Sequence, residues 1–130
     1  LLVVPVVLLA SRMPDIRGEY PLAKILLARR DLVAWYEAAY VLFYYLAWEF
    51  YFRGFLLFSL RGPLGAGNAI LVQTISSCLV HIGKPEGEIL GSILAGVVFG
   101  SIALRTGSFW YVFLLHAGIG LLTDLFILYL

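Results

Sequence analysis

One glutamate and two histidines lie in apolar segments of this sequence, where ionisable side chains are unusual. Glu49 and Arg53 share one segment, His81 lies in a second, and His116 and Asp124 lie in a third. A charged side chain at the centre of a membrane helix costs about 2.5–3.5 kcal/mol even on the mildest insertion scales, so such residues normally face a protein interior or a water-filled cavity. These five residues are therefore candidate functional groups.

A carboxylate and two imidazoles are the side chains of a centre that activates water. A carboxylate can accept a proton as the water attacks a peptide carbonyl, and imidazole N–H groups can stabilise the oxyanion that forms. Glu49, His81 and His116 suit this chemistry, and the same three side chains could instead hold a divalent metal such as zinc. Arg53 follows Glu49 by four residues, which places both on one helix face and should keep the carboxylate ionised.

Simpler roles for these residues stay open. The Glu49–Arg53 pair could only neutralise itself and fix helix packing, and a histidine in a membrane helix often makes just one interhelical hydrogen bond. A transporter or channel subunit would use the buried ions as a proton path. The sequence lacks the repeated broken helices that favour such a transporter.

The composition predicts a membrane protein. Of the 130 residues, 62% are hydrophobic and 13% are charged, and the mean hydropathy is +0.97, which is more apolar than one small soluble core requires. The net charge is only +1, so nucleic acid is not an expected partner. Cys78 is the single cysteine and offers neither a disulfide nor a CxxC metal site. We expect membrane lipid as the surroundings.

The apolar segments predict an all-α, polytopic transmembrane bundle with about four full spans in a single membrane domain, residues 1–130. Each span needs about 20 helical residues. We predict four helices: A over 32–60, B over 64–82, C over 88–104 and D over 108–130. The break between A and B is expected at Arg61-Gly62-Pro63, because proline interrupts a helix.

The first thirty residues are expected to lie outside the four spans. The apolar run 1–10 is too short to cross a membrane and suggests the end of a truncated helix, or else the apolar part of a signal peptide. Residues 11–31 read as a polar connection with a short interfacial helix at 21–30. Six basic residues lie on this side of the spans against Arg61 and Arg105 on the other, which predicts that this side is cytoplasmic.

Small residues recur every four positions along helix C, at Ser92, Gly96 and Gly100. This pattern lets two helix backbones approach closely, and close packing drives helix association in lipid. We therefore expect helix C to pack tightly against a neighbouring helix.

Three segments resemble the motifs of the CPBP family of intramembrane proteases (CAAX protease and bacteriocin-processing, also called Abi). The segment WEFYFRG, residues 48–54, is similar to the first motif, a glutamate pair followed after three residues by arginine. His81 matches the histidine that ends a span in the second motif, and His116 matches the histidine of the third. The resemblance covers residues 35–130.

The sequence departs from these motifs at three positions. Trp48 replaces the first glutamate, Ser77 stands where phenylalanine is common, and Gly120 stands where the third motif has the asparagine or aspartate that assists the oxyanion. The chain thus resembles a single-glutamate branch of the family. The supporting residues that could complete its site are Arg53, Asp124 eight residues beyond His116, and Glu88 or Glu86 near His81.

The resemblance implies an intramembrane endopeptidase that cleaves membrane-associated proteins or peptides in a prokaryotic plasma membrane. Glu49 would activate water, His81 would assist proton transfer, and His116 would donate to the oxyanion. No cofactor is certain, and a divalent metal such as zinc could be held by these three residues. The alternative is a catalytically inactive membrane scaffold or bacteriocin-immunity protein that keeps the fold.

Overall fold

The computed structural model describes residues 3–130, and every regular element in that range is helical. The seven α-helices are α1 Val3–Ala10, α2 Pro14–Glu19, α3 Val33–Tyr40, α4 Leu46–Glu49, α5 Leu57–Leu79, α6 Glu86–Thr106 and α7 Trp110–Tyr129. The remaining elements are the 3₁₀ turns Lys24–Leu27 and Arg30–Leu32 and the π-helical stretches Val41–Tyr45 and Phe50–Leu56. The predicted all-α fold is confirmed.

The region before α3 differs in detail from the prediction. The short helix expected at 21–30 is only the 3₁₀ turn Lys24–Leu27. The apolar run at the start is helical over Val3–Ala10, and its first two residues lie outside the described range.

Three helical stretches are long and apolar enough to cross a membrane: Arg30–Leu79, Glu86–Thr106 and Trp110–Tyr129. The first has 50 residues and would be about 75 Å long if straight, more than twice the hydrocarbon thickness of roughly 30 Å. It is interrupted at Gly65, whose φ of 77° and ψ of 162° are not helical. Glycine adopts positive φ without the steric penalty that a Cβ atom brings.

The interruption at Gly65 reverses the chain. The rings of Trp48 and His81 lie 5.3 Å apart between centroids, although a straight helix would separate these positions by about 50 Å. Gly65 lies midway between them, so the segments on either side form two antiparallel arms, as predicted for helices A and B. The reversal falls just after Pro63, which stays within the helical stretch because its fixed φ of about −65° is helical.

The described chain forms two compact units. The first consists of the residues up to Tyr45 together with Leu115–Leu130, and the second is Leu46–Leu114. The first unit has a small apolar core of Leu26, Val33 and Leu128. That the whole chain is one membrane domain stays a prediction.

Two arginines cap the end of α7 in the first unit. Arg17 donates a hydrogen bond to the Ile127 carbonyl at 3.4 Å, and Arg30 donates one to the Leu128 carbonyl. The last carbonyls of a helix have no partner within the helix, and basic side chains near that end can bind them. The Arg30 guanidinium also lies 5.1 Å from the centre of the Tyr129 ring.

In the second unit, the small residues of α6 pack against α5. A Cβ atom added at Gly96 would lie 2.7 Å from Thr74 Cγ2, and one at Gly100 would lie 2.8 Å from Gln73 Nε2. Gln73 Nε2 donates a hydrogen bond of 2.7 Å to the Gly96 carbonyl. The close approach predicted from the spacing of small residues is therefore present. It holds the last part of α5, and His81 follows shortly after the end of this helix.

Substituting Gly96 by alanine is expected to destabilise the protein by about 1–3 kcal/mol, because the added methyl group overpacks the contact with Thr74. Unfolding by sodium dodecyl sulfate, followed by circular dichroism, measures the change. Gly91→Ala on the same helix is the control, since nothing lies within 4 Å of its added Cβ. Equal stability of the two variants would show that α6 does not depend on this contact.

Candidate active site

Glu49 and Arg53 form an ion pair inside the second unit. Glu49 is fully buried and Arg53 is 2% exposed, and Arg53 Nη1 lies 3.1 Å from Glu49 Oε1. The Arg53 guanidinium also lies 5.6 Å from the centre of the Phe99 ring on α6 and 5.8 Å from that of Phe52. A cation at this distance from an aromatic ring is attracted by its electron-rich face. The i,i+4 spacing thus produces the pair expected from the sequence.

Two π-helical stretches flank the short helix that carries Glu49. The stretches are Val41–Tyr45 and Phe50–Leu56, and their helical turns are wider than those of an α-helix. Tyr45 is the last residue of the first stretch, and Arg53 lies in the second. Such stretches are rare and occur frequently at functional sites. The sequence predicts an uninterrupted α-helix here, because the segment is apolar on every helix face and nothing in this pattern indicates a π-helical turn.

His81 is oriented by the end of α5. Its Nδ1 lies 2.7 Å from the Ser77 carbonyl oxygen, in the last turn of α5, which ends at Leu79. A carbonyl oxygen only accepts hydrogen bonds, so Nδ1 carries the proton and Nε2 of the neutral ring keeps its lone pair. His81 Nε2 lies 4.0 Å from Glu88 Oε1. The two ring nitrogens thus face different groups, Nδ1 the backbone carbonyl of Ser77 and Nε2 the carboxylate of Glu88.

The structure separates the two glutamates expected near His81. Glu88 faces His81, whereas Glu86 is exposed. Glu88→Gln is expected to lower kcat/KM on a peptide substrate by about 1.5- to fivefold, because a partly exposed ion pair contributes about 0.2–1 kcal/mol. Glu86→Gln is the matched control and should retain the full rate. If both variants cleave as the wild type does, Glu88 does not support His81.

His116 and Asp124 lie in the first unit, on α7. The His116 ring meets the Tyr45 ring edge-on, with 4.9 Å between centroids. Asp124 is buried, and so is Glu37 on α3, whose carboxyl group lies near it. Lys24 supplies a positive charge near Asp124.

Sequence reasoning missed Glu37 and Tyr45. Glu37 lies inside predicted helix A. A carboxylate in an apolar segment indicates a functional residue, so the reasoning that identified Glu49 could also have identified Glu37. Tyr45 gives no such signal, since tyrosines are frequent in this segment. Within the units, the structure brings Glu49 to Arg53 and His81 to Glu88. The convergence of Glu49, His81 and His116 on one water stays a prediction.

Within residues 3–130, no group of three or more His, Cys, Asp or Glu side chains is placed to share an ion, whereas a catalytic zinc takes three protein ligands. Glu49 faces Arg53, and His81 Nδ1 faces a backbone carbonyl. The side chains within either unit therefore do not form a three-ligand zinc site.

An apolar groove of about 430 Å³ lies beside the segment that carries Arg53. Its aromatic walls are Phe50, Phe55, Phe58, Phe109 and Trp110. Gly54 forms part of the wall, and a Cβ atom there would lie 3.3 Å from the Phe109 ring. Two residues of its wall, Phe50 and Gly54, directly follow Glu49 and Arg53 in the chain.

The family of the chain is shown by comparison with known proteins. The model of the family described as type II CAAX prenyl endopeptidase Rce1-like matches residues 30–122. The chain belongs to this family. The matched range includes the Glu49–Arg53 pair and both histidines. No curated protein and no solved structure matches the chain.

Membership in the Rce1-like family confirms the resemblance to CAAX proteases. Together with the apolar helices, it makes the chain an integral membrane protein of a protease family, whose setting is lipid and whose substrates are peptides or proteins. The specific residues that act, and the activity of this member, are proposals.

Proposed function

We propose that this chain is an intramembrane endopeptidase that hydrolyses peptide bonds of membrane-associated proteins or peptides. The observation that carries the proposal is the fully buried Glu49, paired at 3.1 Å with Arg53 inside the family-matched range. A buried ion pair is expensive in a membrane segment and is usually retained for function. The paired arginine places a positive charge beside the carboxylate that would act as the base.

In the proposed reaction, Glu49 accepts a proton from a water molecule while the water oxygen bonds to the peptide carbonyl carbon. The electron pair of the carbonyl π bond moves to the oxygen, and His116 donates a hydrogen bond to this oxyanion. The C–N bond then breaks, and the leaving nitrogen takes the proton from Glu49. His81 assists this transfer through Nε2, which holds a lone pair. The oxyanion electron pair re-forms the carbonyl bond as the C–N bond breaks, so the products are an amine and a carboxylic acid, which then ionises in water.

The proposed substrate class is a peptide segment with a lipid or apolar anchor close to the bond that is cleaved. The aromatic groove beside Gly54 supports this class, since it offers apolar surface near Arg53. The description of the family names a CAAX prenyl endopeptidase, so a prenylated CAAX peptide is the first probe to use. The resemblance to bacterial members of the wider family supports a prokaryotic plasma membrane as the location.

The test is cleavage in liposomes. The full chain, reconstituted in lipid, is incubated with a farnesylated CAAX peptide and with its unprenylated counterpart, and the products are identified by mass spectrometry. We expect a new carboxyl terminus and faster cleavage of the farnesylated peptide. Protein-free liposomes and the Glu49→Gln variant reveal any contaminating protease. No cleavage of either peptide, or equal cleavage by Glu49→Gln, would contradict the proposal.

The second candidate is a membrane scaffold or immunity protein that has lost catalysis. It is favoured by Trp48, which replaces a glutamate of the family motif and packs its ring on His81 at 5.3 Å. An indole in this place has no basic group to accept a proton. A folded chain that cleaves no membrane peptide would favour this candidate.

A further inference from the structure

Tyr45 contacts helix α7 at His116 and Gly120, and all three residues belong to the first unit. Tyr45 is 5% exposed, and its ring meets the His116 ring at 4.9 Å between centroids, with 67° between the planes. The phenol is thus buried against the imidazole, with Asp124 and Glu37 in its neighbourhood. Two groups that can donate hydrogen bonds, one O–H and one N–H, are side by side.

Gly120 makes room for the Tyr45 hydroxyl. It lies one turn after His116 on α7, and a Cβ atom added there would overlap the hydroxyl oxygen of Tyr45. Its φ is not positive, so the backbone conformation does not require glycine. What requires glycine is the close approach, since any side chain at this position would displace the phenol.

The hydroxyl therefore occupies the space in which a side chain at position 120 would begin. The third CPBP motif has asparagine or aspartate at this position, and this chain has none. A phenol is neutral near pH 7 and donates one hydrogen bond. The side chain of Tyr45, which comes from a different helical segment, thus occupies the space beside Gly120. Its hydroxyl group is a hydrogen-bond donor.

We propose that the Tyr45 hydroxyl is the second hydrogen-bond donor to the oxyanion, beside His116. This inference rests on the proposed peptidase function and assigns a catalytic residue that the motifs do not contain. As the water oxygen bonds to the carbonyl carbon, the carbonyl oxygen gains the π electron pair and accepts bonds from the His116 N–H and the Tyr45 O–H. Tyr45 transfers no proton, and its bond weakens again when the C–N bond breaks.

Tyr45→Phe is the direct test, since it keeps the ring and removes only the hydroxyl. We expect kcat to fall by about 10²- to 10³-fold, the usual effect of removing one oxyanion donor, with KM unchanged. A peptide aldehyde, whose hydrate resembles the tetrahedral intermediate, should bind more weakly by a similar factor. Tyr44→Phe, on the adjacent residue, is the control and should retain the wild-type rate.

An exchange of the two positions tests the same idea in a second way. Tyr45→Leu removes both the hydroxyl and the part of the ring that overlaps a Cβ at Gly120, so Gly120→Asn can be accommodated in that background. We expect Tyr45→Leu/Gly120→Asn to cleave at least about tenfold faster than Tyr45→Leu, because the amide restores a donor. Gly120→Asn alone should lose activity through the clash with Tyr45.

The outcomes separate this inference from the proposed function. A wild-type chain that cleaves no peptide contradicts both. A wild-type chain that cleaves, together with a folded Tyr45→Phe variant of equal kcat and equal aldehyde affinity, overturns the role of Tyr45 alone. Retained helicity and elution as a single species show that the variants are folded, and a gain of activity in the double variant cannot come from damage to the fold.

Discussion

Replacing Glu49 by glutamine is expected to lower kcat on a membrane peptide by about 10²- to 10⁴-fold, the usual contribution of a general base. The amide has nearly the shape of the carboxylate but cannot take a proton from water. KM should change little, because the substrate is bound by other surfaces. Initial rates in liposomes, measured above and below KM, separate the two constants.

The matched control for this variant is Glu86→Gln, which makes the same chemical change at an exposed position. It should cleave as the wild type does. Circular dichroism and elution volume establish that Glu49→Gln still folds, since it leaves Arg53 without its buried carboxylate. A folded Glu49→Gln variant with the wild-type kcat would show that Glu49 is not the base.

Replacing Arg53 by methionine is expected to destabilise the protein by about 3–5 kcal/mol, because removing one member of a buried pair leaves the other charge uncompensated. Glu49 would then lie fully buried without the guanidinium that contacts it. Methionine has a similar length and is apolar, so packing against Phe99 is largely kept. Unfolding by sodium dodecyl sulfate measures the loss.

A double-mutant cycle attributes this loss to the charge. Glu49→Gln/Arg53→Met has no unpaired ion, so it should be more stable than Arg53→Met, with a coupling energy of about 0.5–3 kcal/mol. Arg61→Met removes an exposed arginine and should change stability by no more than about 0.5 kcal/mol. If Arg53→Met is as stable as Arg61→Met, the ion pair does not stabilise the fold, and only its role in the reaction remains.

These two experiments address different properties of one pair. Glu49→Gln tests the reaction, whereas Arg53→Met tests the stability of the helices that hold Glu49. The double variant is expected to recover stability without recovering cleavage, because it still lacks the base. Recovery of both would mean that Glu49 acts only through folding.

The sequence by itself determined the membrane environment, the all-α fold and the buried ion pair. These follow from local rules: lipid requires long apolar helices whose backbone groups are satisfied internally, and a four-residue spacing places Glu49 beside Arg53 on any helix. The close packing of Gly96 and Gly100 against another helix also follows from spacing, since small residues at every fourth position form one face.

Only the tertiary structure decided which residues from different helices meet. The choice of Glu88 over Glu86 beside His81 and the position of the Tyr45 hydroxyl at Gly120 both depend on contacts between different helical elements. The hydrophobic pattern indicates that a helix packs against another helix. In a uniformly apolar chain it does not specify which helix that is, or how each helix is rotated about its own axis. Side-chain volume and hydrogen bonding between helices make that choice.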